Sequence, residues 1–283
     1  MSNCYFAQYL LNEGILQEKQ LLPLLHKAMV AVPGTPVLAL YQGIMTASQI
    51  VSLESSNDED FAVKAQEKGL LTKSQLLNMH QAIIGRDVRF AQVLLDEQLM
   101  DYEGLSQALQ QSDGLEPNPV VAAIQSVKID EIGTDMEFYG EYVNAFFRSL
   151  LRFMDTNAVV VPERPLFHNA EETYAVSQRL SGDLSLAAGI MAQENVFLEM
   201  ARRYSHEDIP LMDDLAVDSI AEFLNVMNGL FAVNLSKRDM DVDLEMPRSA
   251  CNVHPDGSHQ LLLRVFTDFG SFVLILAMDE FLY

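Results

Sequence analysis

The 283-residue sequence is poor in basic residues, cysteine and tryptophan. It has 18 Lys and Arg against 40 Asp and Glu, a formal net charge of −22, so most of its surface would repel a phosphate backbone. Nucleic acid is therefore excluded as an expected partner. Cys4 and Cys251 have no CxxC spacing and are too few for a disulfide framework, which favours a reducing, cytoplasmic environment.

Long apolar runs and familiar catalytic motifs are also missing. The longest apolar run, 272–278, is far shorter than the roughly 20 residues of a membrane span, so we expect no membrane insertion. There is no GxSxG, P-loop, GxGxxG or HExxH. His254 and His259 in a turn with one aspartate are too few for a metal site, so no metal or cofactor of the chain's own is expected.

The first 110 residues contain four segments that align without gaps, with a period of about 28 residues. The aligned segments are 6–21, 35–50, 61–76 and 90–105. Each has a short helical pattern that ends at the aligned position of Gly14, Gly43, Gly69 or Gln98, where glycine favours a left-handed helix end. A second helix follows, which predicts four helix-turn-helix units.

The second helices have recognisable starts. Thr46 with Gln49 and Thr72 with Gln75 are typical of capping boxes, and Asp101 can cap a helix alone. One such helix pair cannot bury its apolar stripe, so the four units are expected to stack into an all-α domain over 1–112.

The apolar skeleton of these units resembles the N-terminal domain of type II secretion ATPases, some of which bind cyclic di-GMP. The Arg-Leu-Gly opening of that family's motif is replaced here by Tyr-Phe-Ala at 5–7, Asp-Phe-Ala at 60–62 and Arg-Phe-Ala at 89–91. Only Arg89 keeps the cation. A helical docking or dimerisation module is therefore favoured over cyclic di-GMP binding.

Proline-rich sequence at 112–120 ends the helical pattern, and we predict a linker over 113–134. Residues 120–132 fit a linker helix or a first strand equally well. From 135 to 283 the pattern alternates between helical and strand periods, which predicts an α/β or α+β domain. Helices are expected at 138–154, 195–203 and 213–235, a strand at 158–161, and hairpins at 173–192 and 260–278, with turns at 181–183 and 268–270.

The predicted helix over 213–235 separates apolar and polar residues. Its apolar stripe consists of Ile220, Phe223, Leu224, Met227 and Phe231. Asp218, Glu222 and Asn225 fall on the opposite side, with Gly229 one turn later, since each residue advances the helix by about 100°. Small residues at Ala221 and Gly229 would allow another protein to approach the polar side chains closely.

Residues 138–283 resemble the CheX branch of the CheC/CheX/FliY chemotaxis phosphatases. Those proteins have an (Asp/Ser)xxxExxN helix followed a little over twenty residues later by proline, and here Asp218, Glu222 and Asn225 are followed by Pro247. The segments EYVNAFF at 141–147, SGDLSLAAGIM at 181–191 and VDLEMP at 242–247 also resemble the family. The resemblance implies a CheX-like domain in which two long helices pack on an antiparallel-rich sheet.

The resemblance also implies a function. The expected substrate is the phosphorylated aspartate of a CheY-like receiver, which brings its own Mg²⁺. Asn225 would orient the attacking water and Glu222 would pair with a receiver cation, while Ala221, Gly229 and Pro247 would lie at the docking surface. Asp218 would contact the partner, or cap the helix and complement its dipole. A homodimer formed through strands is expected from the same family.

Three alternatives accompany this interpretation. Glu137, Glu141 and Asn144 repeat the same spacing on the preceding long helix, so a second site is conceivable. The CheX-like domain could instead be a non-enzymatic adaptor that docks a receiver or a dimer partner. The N-terminal units could make the chain a cyclic di-GMP-responsive regulator.

Overall fold

The computed structural model describes residues 5–81, 85–126, 136–162, 173–252 and 260–278. The chain divides into two compact units, Met1–Glu116 and Pro117–Tyr283. The sequence-based boundaries at 112 and 135 remain predictions.

The described part of the first unit is helical, with two helices in each of the four aligned segments. The helices are α1 (Phe6–Asn12), α2 (Glu18–Val30), α3 (Thr35–Tyr41), α4 (Ala47–Val51), α5 (Asp58–Glu67), α6 (Lys73–Gln81), α7 (Arg86–Asp96) and α8 (Tyr102–Ser112). The first residue of each Phe-Ala pair in the predicted motif, Phe6, Phe61 or Phe90, is buried. This phenylalanine stands where the secretion-ATPase motif has the leucine of Arg-Leu-Gly, and it is a core residue here.

The turn between the two helices of each segment has the same backbone conformation. Gly14, Gly43 and Gly69 have φ of +69°, +66° and +69°, and Gln98 at the aligned position has φ +56°. The amides of the next two residues in every turn donate to one carbonyl of the preceding helix, as Leu70 and Leu71 do to Ala65 (2.8 and 3.1 Å). These bonds satisfy carbonyls that the helix end would otherwise leave unpaired.

The predicted helix starts are confirmed. Thr46 and Gln49 form a capping box at α4, with hydrogen bonds in both directions. Thr72 and Gln75 exchange the same two bonds before α6. Asp101 Oδ1 accepts from the amide of Gly104 at 2.7 Å and caps α8.

The second unit begins with a helix inside the predicted linker. Residues Pro119–Gln125 form α9, and the Asn118 side chain caps it by accepting from the amides of Val120 and Val121 (3.1 Å each). The structure thus decides between the helix and the strand that the sequence left open. Helix α9 packs against the next helix and the first strand.

The rest of the described second unit is α+β, as predicted, with an antiparallel sheet. The remaining helices are α10 (Met136–Met154), α11 (Glu194–Ser205) and α12 (Asp214–Ser236). The strands are β1 (Val159–Pro162), β2 (Thr173–Gly182), β3 (Leu186–Gln193), β4 (Val242–Leu244), β5 (Arg248–Cys251), β6 (Gln260–Thr267) and β7 (Gly270–Ala277). The sheet order is β1-β6-β7-β3-β2-β4, and β5 pairs with β2 beside β4.

The two hairpin turns have different relations to the prediction. The β6–β7 turn at Asp268 and Phe269 lies where the sequence placed it, and Arg203 donates to both oxygens of Asp268 (3.2 and 2.9 Å). The β2–β3 turn begins later than predicted because Gly182 still pairs with Val242 of β4. A Cβ on Gly182 would lie 2.4 Å from the carbonyl oxygen of Asp241, so only glycine fits this close approach.

The two long helices, α10 and α12, pack through aromatic side chains. The rings of Phe146 and Phe223 lie 5.7 Å apart edge to face, and those of Tyr142 and Phe231 lie 5.1 Å apart.

Among the described residues, α12 is long and apolar enough to cross a membrane by length and composition alone, and the bent pair α2 and α3 passes the same test. The apolar stripe predicted for α12 is confirmed as part of the core, since all five of its residues are buried.

Candidate functional site

The polar side of α12 is the centre of the candidate site. The helix begins after Asp213, whose Oδ1 accepts from the amide of Ala216 at 3.1 Å. The capping role that the sequence left open for Asp218 is therefore held by Asp213. Asp218 lies one turn further along, where it is exposed.

A shallow groove of about 500 Å³ runs along this side of α12. One wall is formed by Asp218, Ala221, Glu222 and Asn225, and the other by 244–247. Strands β4 and β5 pair with successive parts of β2, so the short connection between them passes beside α12. Pro247 reaches the groove in this way, opposite the residues with which the sequence pattern associated it.

The predicted site residues differ in exposure. Asp218 and Glu222 are exposed, while Ala221, Asn225 and Pro247 are half-buried. Gly229 is half-buried with open space where a Cβ would stand, but it lies beyond the residues that line the groove. The structure therefore brings together five of the six residues and places Gly229 at the margin.

Asn225 is held by a residue that the sequence analysis did not identify. Its Oδ1 accepts from Nε2 of Gln178, on β2, at 2.8 Å. Gln178 Nε2 also donates to the carbonyl oxygen of Glu245 at 2.8 Å, and its Oε1 accepts from Nδ2 of Asn228 at 2.8 Å. Asn228 Oδ1 accepts in turn from the hydroxyl of Tyr142 at 2.6 Å.

The sequence contained a signal for these residues. Gln178 stands between Val176 and Leu180 at the alternate positions of β2 that point into the core. Asn228 lies one turn after Leu224 on the apolar stripe of α12. A polar side chain on a buried face needs a hydrogen-bond partner, so an amide on each of two facing elements indicates a buried network.

The groove is acidic. Asp218 and Glu222 line its helical wall with exposed carboxylates, so it favours a cationic partner group, while Glu245 on the other wall lies 3.9 Å from Arg248. Burial, and secondarily the charge of Glu222, raise the pKa of Tyr204 on α11 above its usual value. Among the described residues no group of three or more His, Cys, Asp or Glu is arranged to hold a metal ion, and the predicted turn with His254 and His259 lies outside those residues.

The repeated pattern on α10 has a different environment. Arg238, which follows the end of α12, donates to both carboxylate oxygens of Glu141 at 2.8 and 2.9 Å. It also pairs with Glu137 at 3.2 Å and stacks over the ring of Phe138. Glu137 and Glu141 therefore share one cation of the chain, whereas within the described ranges Glu222 makes no ion pair.

Arg89, the residue on which the cyclic di-GMP alternative depends, also has an internal partner. Its Nη1 donates to the carbonyl oxygen of Met29, near the end of α2, at 3.0 Å. An arginine at a helix C-terminus satisfies an unpaired carbonyl and complements the helix dipole. This hydrogen bond gives the Arg89 side chain a structural role that needs no bound ligand.

Comparisons with known proteins identify solved structures that are similar at low sequence identity. No family model matches the chain, and no curated protein matches it. The chemotaxis protein CheX from Desulfovibrio desulfuricans is 13% identical, with a TM-score of 0.42 over 50% of this chain and 99% of that chain. A CheC-like superfamily protein from Shewanella is 11% identical, with a TM-score of 0.43 over 51% of this chain and 98% of that chain.

A third similar structure is the CheX-CheY-BeF3-Mg complex from Borrelia burgdorferi, which is 15% identical, with a TM-score of 0.40 over 50% of this chain and 98% of that chain. These similarities lie in the C-terminal half of the chain. The resemblance of the N-terminal units to secretion ATPases therefore remains a prediction. The C-terminal half is similar in fold to CheX and CheC chemotaxis proteins.

Proposed function

We propose that the second unit is a phosphatase that removes phosphate from the aspartyl phosphate of a CheY-like receiver in chemotaxis or two-component signalling. The observation that carries the proposal is the shared groove of Glu222 and Asn225. Both side chains line the groove that Pro247 and its neighbours complete. These are the residues that the CheX-like pattern of the sequence selects.

The chemistry needs little from the phosphatase. A receiver supplies Mg²⁺ and an acyl phosphate with a good leaving group, so the missing component is a water in line with the breaking bond. The water oxygen bonds to phosphorus, the bond between phosphorus and the aspartyl oxygen breaks, and the aspartate leaves as a carboxylate. The proton of the water passes to the phosphate that is formed.

Asn225 and Glu222 have separate roles in this proposal. An amide is not a base, so Asn225 acts by holding the water in place. Glu222 is exposed at the same wall and pairs with a cation of the receiver near its phosphate. Asp218, also exposed, contacts the partner rather than the helix end, because Asp213 already caps α12.

An enzyme is favoured over an adaptor that only docks because Asp218 and Glu222 are exposed and the half-buried Asn225 still lines the groove. A cytoplasmic location and a homodimer formed through strands belong to the same proposal. The low cysteine content supports that location.

The test is steady-state phosphate release from receivers charged with acetyl phosphate. Asn225→Ala is expected to lower kcat by about 100-fold, the scale of a misplaced reactant, with KM within about twofold. Glu222→Ala is expected to lower kcat and raise KM, because it removes a docking contact as well as an orienting one.

The matched controls lie on α10, where Glu141 and Asn144 have the same spacing. Glu141→Ala and Asn144→Ala are expected to leave both constants within about twofold of wild type. Equal losses from the two helices, or no loss from either, would contradict the assignment of the site to α12.

A further inference from the structure

Four hydrogen-bonded side chains form a row from the core of the second unit to the groove. The role in catalysis that we infer for this row rests on the proposed function. Tyr142 and Asn228 are fully buried, Gln178 is 2% exposed, and Asn225 lies at the groove. The hydrogen bonds between neighbours in the row are 2.6 to 2.8 Å long. The row connects α10, α12 and β2.

The orientation of the whole row is set by one backbone group. The carbonyl of Glu245 can only accept, so the end of Gln178 that faces it must be the nitrogen. The second hydrogen of that nitrogen is directed at Asn225, whose facing end must then be the oxygen. Exchanging the two ends of Gln178 would set its oxygen against the Glu245 carbonyl and leave a buried amide nitrogen unpaired.

The core side of the row is fixed in the same way. With the nitrogen of Gln178 at Glu245, its oxygen accepts from Asn228, and the oxygen of Asn228 accepts from Tyr142. Each polar end of the two buried amides therefore has a partner. A buried network in which each polar end is paired favours one arrangement, so Gln178 is held in one orientation where it meets Asn225.

The outer end of Asn225 is different. Within the described part of the chain its Nδ2 makes no hydrogen bond, and it is not one of the buried unpaired atoms. The two ends of a planar carboxamide point apart, so the oxygen that binds Gln178 leaves the NH₂ group on the groove side.

We propose that Gln178 is a positioning residue that locks Asn225 with its NH₂ group toward the groove. A group held there must be an acceptor, so Asn225 donates to the attacking water and leaves the second lone pair of that water for phosphorus. The β4–β5 connection contributes through the Glu245 carbonyl, which sets the direction of every amide in the row. The water-holding function of Asn225 thus depends on a side chain that never touches the receiver.

The first test needs no variant and no activity. Hydrogen exchange of side-chain amides in the wild-type chain, followed by NMR, is expected to show slow exchange for the NH₂ groups of Gln178 and Asn228. The NH₂ group of Asn225 is expected to exchange at least about tenfold faster, because only it faces water. A protected Asn225 beside a freely exchanging Gln178 would overturn the proposal.

The second test reverses the direction of Asn225. Gln178→Glu keeps the shape but offers at most one hydrogen, which the Glu245 carbonyl takes, so Asn225 must turn its NH₂ group inward. Exchange of the Asn225 NH₂ group is then expected to slow. On charged receiver, kcat is expected to fall at least about tenfold with KM within about twofold, because Glu222 and the docking surface are unchanged.

The control is Leu235→Ala. Leu235 is buried at the far end of α12, so its truncation is expected to destabilise the unit without changing any amide of the row. Its kcat, measured below its melting temperature, is expected to stay within about twofold of wild type. An equal fall in kcat for Leu235→Ala and Gln178→Glu, or an unchanged kcat when Asn225 has turned, would overturn the positioning role. If wild type hydrolyses no charged receiver, the proposed function fails, while the exchange measurement still decides the orientation of Asn225.

Discussion

Replacing Gln98 by glycine is expected to stabilise the first unit. Gln98 has φ +56° at the position where the aligned segments have Gly14, Gly43 and Gly69. A left-handed backbone costs an L-residue roughly 1 to 2 kcal/mol, whereas glycine adds roughly 0.5 to 1 kcal/mol of chain entropy to the unfolded state. The difference between the midpoints of these ranges predicts a net gain of about 0.75 kcal/mol.

Side-chain contacts do not change this estimate. Gln98 is exposed, and a Cβ placed on Gly14, Gly43 or Gly69 would meet nothing within 4 Å, so the backbone term dominates at this position. For a unit of this size the gain corresponds to a rise in melting temperature of roughly 3 °C. The assay is urea unfolding of the full chain, with calorimetry to follow each transition.

The same chemical change at a helical position supplies the control. Gln110 is exposed within α8, and Gln110→Gly is expected to lose about 1 kcal/mol because glycine is a poor helix former. Gly69→Ala, which introduces the left-handed penalty, is also expected to destabilise. A loss of stability in Gln98→Gly, of the same sign as Gln110→Gly, would refute the reasoning.

Three further predictions concern the second unit. Asp268→Ala removes a buried carboxylate that accepts from the partly buried Arg203, while Glu199 still pairs with Arg203 at 2.9 Å. The free energy of unfolding is therefore expected to fall by about 2 kcal/mol, and a loss below about 0.5 kcal/mol in urea unfolding would contradict this. Burial raises the pKa of Tyr142 well above its usual value of 10.0, so the unfolded chain loses this proton first and stability falls as pH rises above about 10. The limiting slope for this one group is about 1.4 kcal/mol per pH unit, and Tyr142→Phe is expected to show a shallower pH dependence than wild type. Because the charge of Glu222 contributes to the raised pKa of Tyr204, Glu222→Gln is expected to lower that pKa in a ¹³C NMR titration; an unchanged value would place the carboxylate elsewhere.

Much of the fold could be predicted from the local spacing of apolar and polar residues. The stripe of α12, the β6–β7 turn and the left-handed positions were predictable because each depends on residues close in sequence. The left-handed conformation of Gln98 was predictable only from the alignment with three glycines, since glutamine itself does not favour it.

Long-range partners were not predictable from one sequence. The contact of Gln178 with Asn225 joins a strand to a helix 47 positions away, and no local pattern specifies it. The pairing of Arg238 with Glu141 spans 97 positions and separates two helices that look alike in sequence. The motif selected candidate residues on both helices, and the structure shows that Glu141 on α10 pairs with Arg238, whereas Glu222 on α12 is exposed in the groove.

The row of side chains from Tyr142 to Asn225 depends both on the local sequence pattern and on the three-dimensional fold. The sequence predicted Asn225 on the polar side of α12, but its orientation depends on the carbonyl of Glu245, which is fixed by sheet pairing between β2 and its two neighbours. A backbone group has no sequence signature, so this step required the fold.

The most direct test of the central claim is the lifetime of phosphoaspartate on an acetyl-phosphate-charged CheY-like receiver, present in tenfold excess over the chain. The account predicts that wild type shortens this lifetime through many turnovers per chain, and that Asn225→Ala returns it to within about twofold of the receiver alone. A lifetime that wild type leaves unchanged across CheY-like receivers, or that Asn225→Ala shortens as well as wild type does, would contradict it.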